Sequence, residues 1–443
     1  MKLVNTYTQY VLLFLFLIMF EPLIAQEWTL QQCIDTAQIY NKSLQINRNN
    51  IAIGEQRERE VKGNLIPKLS LNADYKYFSN LPYQLMPLST FNPLAPEGQF
   101  KEAQFGVPHN MNANLQMSMP LYNPQLNGSI QNSHIAKELN ELQFQKTAEQ
   151  IVYDISILYY NAQILQHQLV FIDSNLSNAD LLLKNLELLN EQLLVKKTDV
   201  DKVKLQKDQL KTQRENVSNK FYQLLNALKI AMGISLEKNI VIKKEILFQQ
   251  GAEYSNIRNL DLKIINAQNK LLKNELNILN KSRYLPSLNL IATYGTTGFG
   301  YDVKPDNFFK FYPVGFASVQ FSYPLFNGTV TQRKISIKKL ELFNNDLQAQ
   351  IISEKNMMEI ENALRQRVVA QKILTTTENQ ISLAQNIYKQ TYLQQKQGTA
   401  SLADVLLADN ALREAQQNYL SAIIDYLKAE LELKKQSGSI NIN

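Results

Sequence analysis

The chain has little of what builds disulfide-stapled domains or metal centres. Its 443 residues include one cysteine, Cys33, and three histidines. One cysteine can form neither an intramolecular disulfide nor a cysteine cage for a metal, and we expect it to be a buried, small apolar residue. The histidines show no His-x-x-x-His or His/carboxylate spacing. The sequence therefore predicts no metal site.

Motifs for catalysis and for nucleotide binding are also missing. The 14 glycines form no phosphate-binding loop and no Gly-x-Ser-x-Gly elbow, and no Cys/His pair is present. The formal net charge is +6, and no Lys/Arg cluster is interleaved with aromatic residues, so nucleic-acid binding has little support. We expect a protein that is not an enzyme, has no cofactor and binds no nucleic acid.

Long hydrophobic runs are confined to the N-terminus. Lys2 precedes the apolar run Val11 to Phe20, and Ala25 ends a small-residue processing site. This pattern predicts a signal peptide over residues 1–25, and a membrane anchor is disfavoured because the run is only about ten residues long. The rest of the chain has no run of about 18 apolar residues. If the mature chain spans a membrane, it must do so as a barrel.

The dominant pattern is a very long helix from about residue 128 to 195. Its apolar positions alternate at spacings of four and three, which is typical of a left-handed coiled coil, and such a helix would be roughly 100 Å long. A second helix then follows, whose apolar seam begins near Val203 and whose expected N-cap is Thr198 or Asp199. Together they predict an antiparallel helical hairpin over about 128–232.

Two segments before this hairpin alternate with a period of two, over about residues 67–78 and 112–121. Each predicts a strand with one apolar and one polar face. Between them lies a loop holding five prolines, Pro82, Pro87, Pro93, Pro96 and Pro108. Five prolines predict no regular structure in this loop.

The same order then recurs. Leu285-Pro286-Ser287-Leu288 echoes Ile66-Pro67-Lys68-Leu69, and Tyr323-Pro324-Leu325-Phe326-Asn327 echoes Met119-Pro120-Leu121-Tyr122-Asn123. The second copy predicts strands over about 286–297 and 314–323 and a hairpin over about 329–435. We therefore divide the mature chain into a first repeat at 26–235, a second repeat at 236–436 and a tail at 437–443. Each repeat reads helix, strand, strand, long helix, helix.

Four amphipathic strands cannot close a barrel, and an open sheet would leave two unpaired edges. In a bilayer those edges have to be paired, so other copies must supply the missing strands. Three copies of the chain would give twelve strands. From the strands alone, a sandwich with a buried face remains an alternative.

Taken together, these features resemble the TolC family of outer-membrane efflux proteins. The resemblance rests on the duplicated unit, the Pro-Leu-Tyr/Phe-Asn sequence after each second strand, and the stretch from Gly398 to Ala408. It implies a mainly α fold with a β-barrel portion: a homotrimer whose twelve-stranded barrel in the outer membrane continues as a twelve-helix tunnel through the periplasm. In this family the channel is a passive export duct in a tripartite efflux or type I secretion system. The implied partners are outer-membrane lipid, a periplasmic adaptor and an inner-membrane RND or ABC transporter.

The resemblance also implies where the functional residues lie. The two helix–helix turns would form the periplasmic tip, and the interpretation aligns Lys196 with the family's glycine in the first turn. The residues expected at the adaptor-docking tip are Lys196, Lys197, Thr198, Gly398 and Thr399. The residues expected at the pore constriction are Asp404, which would form an acidic ring, and Leu407 and Ala400, where the family carries a second acid and an arginine. For Asp404 the alternative is an ordinary acidic residue favoured by a helix N-terminus.

A second hypothesis is a non-conducting coiled-coil protein that tethers envelope layers or acts as an adaptor. Periplasmic adaptors also have helical hairpins, but they carry small modules of glycine-punctuated strands, which we do not find in the sequence. A tether would be released from membranes by salt or carbonate, whereas a barrel would stay in the outer-membrane fraction.

Overall fold

The structure is a computed structural model that describes residues 27–246, 259–304 and 307–440. The predicted signal peptide at 1–25 lies outside these residues. Each repeat places two strands between a first helix and a long helical hairpin.

The first repeat begins with two helices, where the repeat order read from the sequence, with one helix before the strands, predicted one. A short strand, β1 (Glu27–Trp28), precedes α1 (Leu30–Tyr40) and α2 (Lys42–Gly63). The break falls at Asn41, whose side-chain oxygen accepts a hydrogen bond from the Leu44 amide at 3.1 Å while its Nδ2 donates to Ala231 O at 2.7 Å. Asparagine competes with helix continuation by such bonds. The prediction of one helix was therefore wrong at this residue.

The main sheet has four antiparallel strands. These are β2 (Lys68–Tyr77), β5 (His109–Tyr122), β7 (Ser287–Tyr301) and β8 (Phe308–Ser322). Their order is β2-β5-β7-β8, so β5 of the first repeat pairs with β7 of the second along His109 to Tyr122. In this sheet, β2 and β8 are the edge strands.

The proline-rich loop is more regular than the sequence predicted. It holds an antiparallel hairpin of β3 (Tyr83–Pro87) and β4 (Phe100–Gln104), with a short 3-10 turn at Leu88–Thr90. Pro87 ends β3, where proline is tolerated, and the other four prolines fall between these elements. The expectation of an irregular loop was therefore wrong.

Very long helices follow each strand pair. The first repeat has α3 (Pro124–Glu191) and α4 (Lys197–Met232). After the short strand β6 (Val241–Ile242), the second repeat has α5 (Leu260–Tyr284), α6 (Val330–Lys396) and α7 (Leu402–Gln436). The mainly α fold class with a duplicated helix-strand-strand-long helix-helix order is confirmed.

Two compact units can be separated in the chain. One contains the described parts of residues 1–50, 141–264 and 349–443, and the other contains 51–140 and 265–348 with the main sheet. Each unit draws on both repeats, so the repeat boundary at 235/236 stays a prediction. The first unit holds three apolar clusters, and one of them encloses Cys33, which is fully buried.

Candidate functional site

The first helix–helix turn is closed by a leucine in a left-handed conformation. α3 ends at Glu191, and Leu193 has φ 58°. The Leu193 amide donates to Asn190 O and the Leu194 amide to Leu189 O, both at 2.9 Å. This pair of bonds is the Schellman pattern that ends many helices, usually with glycine at the left-handed position.

The second turn has the same geometry with the usual residue. Gly398 has φ 75°, its amide donates to Gln395 O at 3.0 Å, and the Thr399 amide donates to Gln394 O at 3.0 Å. The hydrogen bonds therefore align Gly398 with Leu193. The sequence interpretation that placed Lys196 at the glycine position was wrong, because Lys196 lies beyond the turn.

The two return helices begin differently. α4 has Lys196 as its N-cap, with extended backbone (φ −78°, ψ 145°) and no capping bond from its side chain. Lys196, Lys197 and Thr198 are all exposed. The predicted caps lie further in: Asp199 is the third helical residue, with its carboxylate 3.1 Å from Lys202 Nζ. α7 instead has Ser401 as a fully bonded cap.

Asp404 forms a reciprocal capping box with Ser401. The Ser401 amide and hydroxyl donate to Asp404 Oδ2 at 2.9 and 2.6 Å, and the Asp404 amide donates back to Ser401 Oγ at 3.2 Å. These bonds favour the carboxylate and lower the pKa of Asp404 below its usual value. The carboxylate is exposed and charged at neutral pH, and it has a structural role at the helix start.

The other two residues predicted at the constriction carry no polar side chain. Leu407 is 72% exposed on the first turns of α7, and Ala400 is half-buried just before the cap. Within one copy of the chain, Leu407 and Asp404 lie one helical turn apart. Their side chains therefore share a face of α7.

Below the turns lies an apolar cluster drawn from four helices. Its buried members are Leu182, Leu183 and Leu186 of α3, Val203 of α4, Ala384 and Tyr388 of α6, and Val405, Ala408, Leu412 and Ala415 of α7. Buried contacts of this kind hold both hairpins together. The helices that carry the two turns are thus packed against one another, although the outer residues of the turns are exposed.

One polar group inside this region was missed by sequence reasoning. Asp409 on α7 is 7% exposed, and burial raises the pKa of its carboxyl. Gln206 Nε2 of α4 donates to Asp409 Oδ2, and Arg413 lies 2.8 Å from the same oxygen. The sequence does contain a signal that could have located this group. Three polar residues, Asp409, Gln416 and Glu430, follow heptad spacing along the buried side of α7.

Among residues 27–246, 259–304 and 307–440, no group of His, Cys, Asp and Glu side chains is arranged to hold a metal ion. In the described part of the chain, every helix is too short or too polar to cross a membrane. The charged and exposed residues of the two turns are the remaining candidates for a functional site.

Comparison with known proteins shows which sequences and folds this chain resembles. Residues 257–439 match the family model described as outer membrane efflux protein. A comparison with curated proteins found no match.

Solved structures resemble nearly the whole chain. The outer membrane protein VceC of Vibrio cholerae has 15% identity and a TM-score of 0.74, covering 92% of this chain and 96% of that one. The outer membrane channel CmeC of Campylobacter jejuni has 14% identity and a TM-score of 0.74, covering 92% and 85%. The open state of the MtrE outer membrane channel of Neisseria gonorrhoeae has 16% identity and a TM-score of 0.72, covering 92% and 88%. Over residues 257–439 the sequence is thus similar to the outer membrane efflux protein family, and the chain shares its fold with these solved outer-membrane proteins.

Proposed function

We propose that three copies of the chain form a passive export duct of a tripartite efflux or type I secretion system. The observation that carries the proposal is the open four-stranded sheet, whose edge strands β2 and β8 have no partner within the described chain. The duct would run from an inner-membrane RND or ABC transporter, through a periplasmic adaptor, to the outside.

The sheet supports assembly in lipid. On β2, Leu69 and Leu71 are 67% and 77% exposed, and on β8, Val319 and Phe321 are 59% and 64% exposed. An exposed apolar face suits lipid, but a bilayer does not tolerate unpaired edges. Pairing β8 of one copy with β2 of the next continues the antiparallel order, and three copies close a barrel of twelve strands.

The helices support the same assembly. The buried seam of α6 includes Ala363, Ala370 and Ala384. Beside this seam, a second set of apolar side chains at helical spacing is exposed on α6, formed by Leu347, Ile351, Met358, Val369, Ile373, Leu383 and Ile387. An amphipathic helix buries one stripe. A second stripe therefore favours packing against another copy, as in a tunnel of twelve helices.

The two turns are the proposed periplasmic tip, with Lys196, Lys197, Thr198, Gly398 and Thr399 at the adaptor contact. Leu193 and Leu194 extend this surface, because they are 91% and 68% exposed beside the two lysines. An apolar pair flanked by cations favours an adaptor surface that is apolar and acidic.

The proposed constriction is the start of α7. Three copies of Asp404 around one axis would attract cations, while Leu407 and Ala400 would narrow the passage without adding charge. The low pKa of Asp404 favours this ring, since the carboxylate stays ionised near neutral pH.

The test combines mass and conductance. Protein purified in detergent should have the mass of a trimer, and planar bilayers containing it should show small, cation-preferring currents. Asp404→Asn should weaken the cation preference, whereas Asp425→Asn, an exposed acid further along α7, should leave it unchanged. A water-soluble monomer, or release from membranes by carbonate, would favour the non-conducting tether instead.

A further inference from the structure

The main sheet has two faces, and the strand pairing decides which residues share each one. Leu69 of β2, Met117 of β5 and Ala317 of β8 lie on one row across the sheet. This row belongs to the apolar face that the proposed barrel turns to lipid. The residues that alternate with it form the opposite face, which we call the water face because it would line the duct.

The water face is polar on β2 and β5. From Lys68 to Lys76 and from Asn110 to Ser118, these strands place on it Lys68, Ser70, Asn72, Asp74, Lys76, Asn110, Asn112, Asn114, Gln116 and Ser118. Polar side chains of this kind are expected on the inside of a membrane barrel. The first repeat therefore follows the usual pattern.

The water face has a different composition at the far end of β7 and β8, which is the end away from the long helices α3 and α6. Four aromatic side chains lie there, and we call them the ring patch: Phe299, Tyr301, Phe308 and Tyr312. Phe299 is 36% exposed and Tyr312 is 50% exposed. Aromatic residues of a barrel usually lie on its lipid side. Contact with lipid therefore does not explain rings on the water face.

The rings of the patch lie in two pairs across the strands. The ring centroids of Phe299 and Tyr312 are 6.2 Å apart, and those of Tyr301 and Phe308 are also 6.2 Å apart. Cross-strand aromatic pairs stabilise a hairpin, which accounts for this spacing. It does not account for the exposure of Phe299 and Tyr312. Exposed ring faces on a sheet form a platform on which a planar ligand can stack.

The water face also carries positive charge. Its charged side chains on the four strands are Lys68, Asp74, Lys76 and Lys310, so three lysines accompany one carboxylate. Asp74 Oδ2 lies 3.6 Å from Lys76 Nζ. Lys310 pairs directly with Phe299 across the two strands, and its Nζ lies 5.7 Å from the centroid of the Phe308 ring. A cation thus lies beside the exposed rings.

We propose that the ring patch and Lys310 form a binding site for planar aromatic molecules that carry a negative group. The aromatic part would stack on Phe299 and Tyr312, and the negative group would lie beside Lys310. An aliphatic anion has no ring to stack, and a neutral aromatic molecule gains nothing from the lysine. This inference rests on the proposed function, because assembly into a barrel turns the water face toward the duct.

The test measures the current through the purified full-length protein in planar bilayers, with the probe added to both sides. Naphthalene-2-sulfonate should reduce the current in a saturable way. Cyclohexanesulfonate, which has the charge without the aromatic ring, should need a several-fold higher concentration for half-maximal block. Equal block by the two probes would contradict stacking on the rings.

Two variants test the two parts of the site. The double variant Phe299→Leu with Tyr312→Leu removes both exposed rings but keeps apolar side chains, and it should raise the half-blocking concentration of naphthalene-2-sulfonate about tenfold. Lys310→Gln should raise it a few-fold and leave block by neutral naphthalene-2-methanol unchanged. An equal effect of Lys310→Gln on both probes would contradict the role of its charge.

The matched control is the double variant Phe309→Leu with Phe311→Leu. It removes two rings from the same end of β8 but from the lipid face, and it should leave the block unchanged. Light scattering checks that each variant keeps the mass of the trimer. Equilibrium dialysis of the detergent-solubilised protein against radiolabelled naphthalene-2-sulfonate gives a second readout that needs no conductance. The wild type should retain more probe than the Phe299/Tyr312 variant.

The outcomes separate the site from the duct. If the wild type conducts and the probe neither blocks it nor is retained in dialysis, the site is wrong and the duct stands. Block that is equal in the wild type and the Phe299/Tyr312 variant would also overturn the site. If the wild type does not conduct but retains the probe, and that variant does not retain it, the duct is wrong and the site stands. Loss of trimer mass in that variant alone would show that the rings pack against another part of the protein, and it would overturn the site.

Discussion

At the scale of single residues, the two turns share one left-handed backbone geometry but place different side chains at it. Leu193 and Gly398 occupy the same left-handed position, with φ 58° and 75°. That region costs an L-residue roughly 1–2 kcal/mol and costs glycine little. A strained leucine that is 91% exposed gains nothing from burial in one copy of the chain. This favours a role for Leu193 in contact with a partner.

Leu193→Gly should therefore raise the midpoint of thermal unfolding of the detergent-solubilised protein. The free energy of unfolding should rise by up to about 1 kcal/mol. Relief of backbone strain in the folded state is partly offset because glycine gives the unfolded chain more conformational entropy than leucine does. The matched change, Gly398→Leu, should lower the midpoint. No atom lies within 4 Å of a Cβ built at Gly398, so only backbone strain would act. A lower midpoint for Leu193→Gly would contradict this account of the first turn.

The Ser401–Asp404 capping box should make stability depend on pH. The Ser401 bonds lower the pKa of Asp404 in the folded state. A carboxyl group whose pKa is lower in the folded state than in the unfolded state stabilises the fold at pH values above its unfolded-state pKa. This stability is lost as the pH falls through its folded-state pKa.

Ser401→Ala should therefore lower the unfolding midpoint at pH 7 and have a smaller effect as pH falls through the folded pKa of Asp404. Thermal scans of the wild type and the variant across this range measure the difference. Ser421→Ala, at an exposed position inside α7, is the control and should show no such trend. A difference between wild type and Ser401→Ala that stays constant with pH would contradict the assigned bonds.

At the scale of elements, the hairpin of β7 and β8 packs aromatic rings over glycines. A Cβ built at Gly298 would lie 2.5 Å from Phe311 Cε1, and one at Gly300 would lie 2.5 Å from Phe309 Cε1. The paired strands place each phenylalanine directly opposite its glycine. Glycine at these positions lets the rings lie flat on the neighbouring strand.

Gly298→Ala should destabilise the sheet by about 1–3 kcal/mol, the usual effect of overpacking. The unfolding midpoint measures the loss, and Phe311→Ala in the same protein should recover part of it by freeing the space. Gly63→Ala provides the control, because a Cβ there meets no atom within 4 Å. An additive loss in the double variant would exclude the ring contact as the cause.

At the scale of the whole molecule, assembly should depend on the exposed stripe of α6. Ile351 is 55% exposed in one copy, so Ile351→Asp should leave the helical content of the chain unchanged. In the proposed trimer the new carboxylate would be buried without a partner, which is costly. We expect dissociation to monomers.

Light scattering after size-exclusion chromatography measures this change. The control is Gln371→Asp, which also adds a negative charge at an exposed position of α6 but is not three or four residues from any member of the apolar stripe. It should preserve the trimer. A stable trimer of Ile351→Asp would remove the stripe from the subunit interface.

The sequence determined the order of the elements. Apolar residues recur with a period of two in the strands and at alternating spacings of three and four in the helices. These spacings are local properties, since they reflect how side chains project from a strand or a helix. The two Pro-Leu-aromatic-Asn sequences showed the duplication in the same way. The family resemblance followed from this order and did not need tertiary contacts.

Only the tertiary structure decided the rest. The pairing of β5 with β7, the break at Asn41, the left-handed Leu193 and the buried bond of Gln206 to Asp409 each depend on groups far apart in the chain or on backbone angles that spacing does not encode. Asp409 is an acid amid an apolar helix seam, and sequence alone cannot tell whether such an acid faces water or a partner. Its partner lies 203 residues away, and only the packing of two hairpins brings the two side chains together.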